Sequence, residues 1–273
     1  MSVIAISRQV GSFGAEIARQ VSSEQKMELI TRDRIHEFIT ECDPEFTNAC
    51  TMYEEEVPKS FWSRIFLDTT KLAAMFEWMT FSLASRGNVI LLGRGTPVVL
   101  GQRPDVFRIR IIAPFNLRVK RIQDKHQCSL EQAESFVSSY GRHRRNLIQS
   151  IFNVDLSDPE LYDMQLNTAD FSIETASQIV VEGLKAKMAE CKKRPPFEEL
   201  AWLTQVKRVG LEIKKELDPA LWQQVHTQSG GPGEVVLTGL VYEPGIIESA
   251  QTLALKVDGV KKVDNQLKVI NRL

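Results

Sequence analysis

Little in this chain would ligate a metal, staple a fold or enter a membrane. Only four of its 273 residues are cysteines. Cys42, Cys50, Cys128 and Cys191 are scattered, no two form a C-x-x-C pair, and the four histidines are not spaced as partners. That excludes a zinc ribbon and a disulfide framework, and sparse cysteine use fits a reducing compartment. No apolar run approaches the roughly eighteen residues of a membrane span. No basic segment followed by a long apolar one opens the chain, so no secretory leader is expected and the chain reads as cytoplasmic. An excess of one charge is missing too: the net charge is -1, which argues against a general nucleic-acid binder. The last absence is local. No lysine lies between Ser2 and Gln25.

What is present begins at once. The apolar run Val3-Ile4-Ala5-Ile6 enters Ser7-Arg8-Gln9-Val10-Gly11-Ser12-Phe13-Gly14, and a helical pattern opens at Ala15-Glu16-Ile17-Ala18. A strand that breaks into such a turn and then a helix aims several amides, and the positive end of the helix dipole, at one spot. That suits an anion, most often a phosphate; a corner without a ligand is the alternative. Further strands are expected at 27–31, 89–92, 106–112 and 161–167. Helices are expected at 15–25, within 61–86, after Pro114, from a Ser129/Gln132 capping box, and over 172–190. The alternation predicts a parallel sheet flanked by helices, with ligands at the carboxyl ends of the strands. Lys192-Lys193-Arg194-Pro195-Pro196 marks a linker. Beyond it, a helix at 200–217, strands at 221–227, 234–241 and 260–270, a flexible turn at 229–233 and a helix at 244–257 make a small α/β unit of about seventy residues, near the lower limit for an independent core.

The N-terminal portion resembles the cytidylate kinase-like family of P-loop nucleoside monophosphate kinases. The motifs occur in order: the altered phosphate loop at Ser7 to Ala18; Arg32-Asp33-Arg34-Ile35; Leu92-Gly93-Arg94-Gly95; Ala113-Pro114 through Arg121; Arg142-His143-Arg144-Arg145-Asn146; and Asp158-Pro159-Glu160-Leu161-Tyr162-Asp163 through Thr168. The last seventy residues resemble a BON domain, through Val235, Leu237, Gly239, Val241, Ala250, Val257-Asp258-Gly259-Val260, Val263, Asn265 and Leu267. The resemblance implies an α/β P-loop kinase fold over 1–191, a linker over 192–199 and a small α+β BON-like domain over 200–273.

It also implies roles. Arg94, with Gly93 and Gly95, falls on the acceptor monophosphate; Arg142, Arg144 and Arg145 close over the donor phosphates as lid arginines. Guanidinium forks grip phosphate oxygens in two places. Arg118 and Arg121, three apart on a helix, can share a face and join the nucleotide-binding set, or simply meet solvent. Ser7, Gly11, Ser12 and Gly14 form the phosphate loop. A standard loop is G-x-x-x-x-G-K-[ST]; here Gly14 takes the lysine place, Phe13 replaces a glycine and Ala15 a basic residue. Arg8 is the candidate substitute cation, and Ser7, Ser12 or Asp33 could reach Mg²⁺. Asp33 could equally orient a base or ribose, or cap the helix at Arg34. The implied activity is ATP- and Mg²⁺-dependent phosphoryl transfer to CMP or dCMP. The alternative is a degenerate kinase fold that senses nucleotides or acts as a scaffold through the BON-like module, whose partner is a protein or a phospholipid.

Overall fold

The computed structural model describes residues 2–31, 34–35, 37–38, 69–193 and 199–271. In chain order these form β1 (Val3–Arg8), α1 (Gly14–Gln25), β2 (Glu28–Ile30), α2 (Thr69–Ser85), β3 (Val89–Leu92), α3 (Thr96–Leu100) and β4 (Val106–Ile112). Then come α4 (Phe115–His126), α5 (Leu130–Phe152), a 3-10 turn (Pro159–Leu161), β5 (Met164–Asn167), α6 (Ile173–Cys191) and α7 (Leu200–Glu216). A second 3-10 turn (Pro219–Leu221) leads into β6 (Trp222–Gly231), β7 (Glu234–Val241), α8 (Gly245–Leu255) and β8 (Lys262–Val269). They divide into two compact units. One takes its described residues from within 1–66 and 86–195, the other from within 67–85 and 196–273.

The first unit is a five-stranded sheet of order β2-β3-β1-β4-β5. All its pairings are parallel, with Val3 opposite both Val89 and Val106. A parallel sheet is covered on its faces, so its strands read as apolar runs. Ile4, Ile6, Ile90 and Ile109 are fully buried with Ile17 and Val21 of α1 and Val180 of α6, each side chain contributing about 1.5–3 kcal/mol. Ser129 caps α5 reciprocally with Gln132, as the spacing predicts. The strand expected from Leu161 starts later, at Met164. Asp158 accepts from the Glu160 amide at 2.9 Å and Pro159 follows it, so the chain first makes a 3-10 turn. The strand order reverses at β1, whose neighbours β3 and β4 lead to opposite edges. In such sheets ligands bind outside the carboxyl ends of the strands at that switch point.

The second unit holds the sheet β6-β7-β8, antiparallel then parallel. Its core gathers Val206, Val209, Ile213, Trp222, Leu237, Ala250 and Leu267. The turn expected over 229–233 is tighter than anticipated: β6 pairs through Gly231 with Glu234, which leaves Pro232 and Gly233 as the turn. Helix α2, from between β2 and β3 in sequence, belongs to this unit. Lys207 of α7 meets Glu77 of α2 at 2.8 Å, and the Arg208 guanidinium lies 4.7 Å from the Trp78 ring centre. Met75, Phe76 and Met79 of α2 are fully buried. Among the described residues no helix is long and apolar enough to cross a membrane.

Candidate functional site: an arginine-lined cavity at the switch point

The site grows out of the ends of β1 and β3. β1 delivers Ser7 and Arg8. Helix α1 starts at Gly14, and its cap, Phe13, offers no side-chain acceptor. The opening amides of the helix are therefore available to water or a ligand. The missing lysine has a steric reason. A Cβ on Gly14 would lie 2.6 Å from the Cβ of Arg8, so no side chain fits at 14 while Arg8 stands beside it. At the end of β3, Gly93, Arg94 and Gly95 all take positive φ, at 87°, 55° and 70°. For Arg94 that backbone is strained, a state that persists where the surroundings over-determine it. Gly93 is required twice over. Beyond its φ, an added Cβ would lie 1.8 Å from Arg8 Nη1 and 2.7 Å from Arg144 Nη2.

Arg8 and Arg144 therefore crowd Gly93, next in sequence to Arg94. The Nη1 of Arg8 is buried without a hydrogen-bond partner. Burial first, then repulsion from Arg144, hold the Arg8 guanidinium well below its ordinary value; Tyr140 acts against them and Arg94 adds to them. Around these groups lies a cavity of about 750 Å³, lined also by Ser7, Arg118, Arg142 and Arg145. Among the described residues no carboxylate lines it. Like charges gathered in a poorly solvated place destabilise one another unless an anion joins them. A second cavity of about 270 Å³ lies against Gly11, Phe13, Gly14 and Arg121. Arg8 and Arg144 line both.

The loop itself is tied down from behind. The Ser12 hydroxyl, fully buried, lies 2.8 Å from the Gln9 carbonyl and 3.1 Å from that of Ile111, donating to them. It lines neither cavity, so its proton is engaged by backbone rather than turned to a metal. Thr168 donates to the Ser12 carbonyl at 3.0 Å. Arg121 donates to Thr168 Oγ1 at 2.9 Å and to its carbonyl at 2.7 Å. Its guanidinium lies 3.8 Å from the centre of the Phe13 ring. Phe13 itself holds φ 62°. Its ring is thus drawn to Arg121 on the side of the smaller cavity and does not line the larger one. Arg118 donates to the carbonyls of Ala113 and Val10.

The structure thus brings Ser7, Arg8, Gly93, Arg94, Gly95, Arg118, Arg142, Arg144 and Arg145 around the larger cavity, and Gly11, Gly14 and Arg121 around the smaller. Ser12 stands behind the loop, and Asp33 lies outside the described residues. Sequence reasoning missed Arg110, Tyr140 and His143, which also line the larger cavity. For Arg110 the signal was there, a basic residue inside a strand buried on both faces. As to groups the site could hold, the unpartnered Nη1 fits a phosphate oxygen. The same lining offers Mg²⁺ no carboxylate, and the described residues contain no cluster of three acidic, His or Cys groups.

A sequence model of the cytidylate kinase-like family matches residues 3–170, and a BON-domain model matches 213–271. Over 113 residues the chain is 27% identical to a cytidylate kinase of Staphylothermus marinus, spanning 41% of this chain and 62% of that one. Over 102 residues it is 30% identical to one from Natronomonas pharaonis, spanning 37% and 53%. A cytidylate kinase of Pyrobaculum arsenaticum is 27% identical over 183 residues, 67% of this chain and 92% of that one. The chain thus spans somewhat more than half the length of the first two curated relatives. A crystal structure of an uncharacterized protein from Eubacterium ventriosum shares the fold, with a TM-score of 0.52 at 13% identity over 68% of this chain and 99% of that one.

Proposed function

The chain belongs to the cytidylate kinase-like family, and from that premise we propose that its first unit transfers a phosphoryl group from ATP to a pyrimidine nucleoside monophosphate, CMP or dCMP. The observation that carries this is the sharing of Arg8 and Arg144 by two cavities. The smaller, against the loop and the start of α1, receives the donor polyphosphate. The larger, reaching Arg94, receives the acceptor. The phosphoryl group moves where they meet.

Such transfer needs alignment and charge neutralisation more than covalent help. Arg8 and Arg144 supply cations at the boundary, Arg8 already desolvated, so little reorganisation is needed there as charge spreads over the transferred oxygens. Arg94 orients the acceptor phosphate, and Arg142 and Arg145, which line the same larger cavity, close over it, while Arg144 reaches both cavities. ATP would bring magnesium on its own phosphates; Glu16, which lines the smaller cavity, is the one carboxylate the described residues place there, and the ion's chemistry would be to neutralise those oxygens. The C-terminal unit is read as a docking module for a protein or a phospholipid, served by residues 200–273 together with α2. The purified protein is expected to form ADP with CMP, dCMP or UMP as acceptor.

One observation favours a second reading. With Ser12 engaged by backbone, no lysine at position 14 and Ala15 following, the loop lacks the usual metal and phosphate side chains. A nucleotide-binding sensor or scaffold would have such a loop. No turnover above background, with calorimetry still showing nucleotide binding, would select it.

A further inference from the structure

Two arginines on one strand meet opposite fates. Arg108 and Arg110 stand two apart on β4 and so face the same side. Both are buried, at 5% and 8% exposure. Arg108 is neutralised. Its Nη2 reaches Asp163 Oδ1 at 3.1 Å, its amide donates to Oδ2 at 2.8 Å, and Lys187 approaches the same carboxylate at 2.9 Å. Burial alone would raise the Asp163 carboxyl, but these bonds outweigh it and hold the group below its ordinary value. Arg110 forms no ion pair among the described residues. Its Nη1 donates to the Tyr162 hydroxyl at 3.1 Å, and its guanidinium lies 5.5 Å from the centre of that ring. The hydroxyl in turn donates to the Leu156 carbonyl at 2.9 Å. Asp155, whose carboxylate feels both Arg110 and Arg145, is solvent-exposed and accepts from Ser157 instead.

A buried cation held by a neutral phenol and opening on a cavity has one charge uncompensated. We propose that Arg110 is a further phosphate-binding residue of the larger cavity, and that Tyr162 is a positioning residue that aims its guanidinium. This rests on the reading of that cavity as a phosphate site and extends it. Arg108 marks the contrast, a structural arginine with its counter-charge built in. Arg110 has its counter-charge left to the ligand. The Tyr162–Leu156 bond fixes the phenol, and the phenol fixes one edge of the fork, so the remaining N–H groups face the cavity without searching for it.

Inorganic pyrophosphate is the probe, titrated into the full chain by calorimetry and followed by melting temperature. The wild type is expected to bind it and to melt higher with it. Arg110→Met should weaken binding about tenfold or more, yet melt without pyrophosphate at or above the wild type, since a lone buried charge is gone. Arg108→Met should do the reverse, melting lower with affinity retained. Tyr162→Phe should weaken binding several-fold. The double variant should bind no worse than Arg110→Met alone, because the phenol acts only through the guanidinium. Unchanged affinity in Arg110→Met, or no pyrophosphate binding by the wild type, overturns the proposal. Should Arg110→Met not fold, unchanged affinity in Tyr162→Phe overturns it. A chain that forms no ADP but whose pyrophosphate binding depends on Arg110 keeps this inference and loses the kinase.

Discussion

The phosphate loop and the arginine wall that faces it are built on opposite plans. The loop is satisfied from within: Ser12 binds carbonyls, Thr168 binds Ser12, and Arg121 stacks on Phe13 while gripping Thr168. The wall is unsatisfied: Arg8 has a buried Nη1 with no partner, set among like charges. Rigid amides and waiting cations are the two halves of a phosphate site, and this chain has separated them. On the reading proposed above, Arg8 at the end of β1 supplies the cation that a standard loop places at the start of its helix; its Cβ lies 2.6 Å from where a Cβ on Gly14 would stand.

Moving the cation back to the start of the helix should have the largest effect. Arg8→Met should lower kcat/KM by about 10²–10³, the loss typical of one preorganised charge-stabilising donor. Gly14→Lys alone should be as damaging, because its Cβ meets that of Arg8. Arg8→Gly with Gly14→Lys should be more active than either single variant, since it rebuilds the standard loop and removes the clash. If the pair is no better than its members, Arg8 does not occupy the lysine's role. Steady-state ADP formation decides. On the loop side, Arg121→Met should destabilise the first unit by about 2–3 kcal/mol through lost charge-assisted bonds, seen as a lower denaturant midpoint. Unaltered stability would show that the loop holds without its clamp. Ser12→Ala should cost about 1–2 kcal/mol by leaving buried carbonyls unpaired, with an unchanged magnesium requirement; a weakened requirement would return Ser12 to the metal. Phe13→Gly should be nearly silent, within about 1 kcal/mol. Relief of a left-handed backbone offsets the lost stacking under Arg121.

The larger sheet was legible because buried parallel strands are apolar runs that announce themselves. Val89–Leu92 and Val106–Ile112 occupy the predicted positions, and Ser129 with Gln132 fixed the start of α5. The arginines were legible as a set because their residue type carries the chemistry. Ser12 was not. A serine in a loop looks the same whether its hydroxyl faces a metal or a carbonyl of β4 ninety-nine positions away. Arg110 was visible as a basic residue inside a buried strand, but the sequence says nothing of its counter-charge. The placement of α2 was hidden for a related reason. An apolar helix reveals that it is buried, while its partner, α7, lies far along the chain.

That last arrangement has a consequence for biosynthesis. A ribosome adding about 5–20 residues per second would release α2 several seconds before Leu200 exists, since roughly a hundred residues intervene. Through that interval Glu77, Trp78 and Phe81 of α2 have no Lys207 or Arg208 of α7 to meet. The smaller unit must then be finished by a segment made early, so a nascent chain stalled before α7 should be the form most prone to aggregate and most in need of a chaperone.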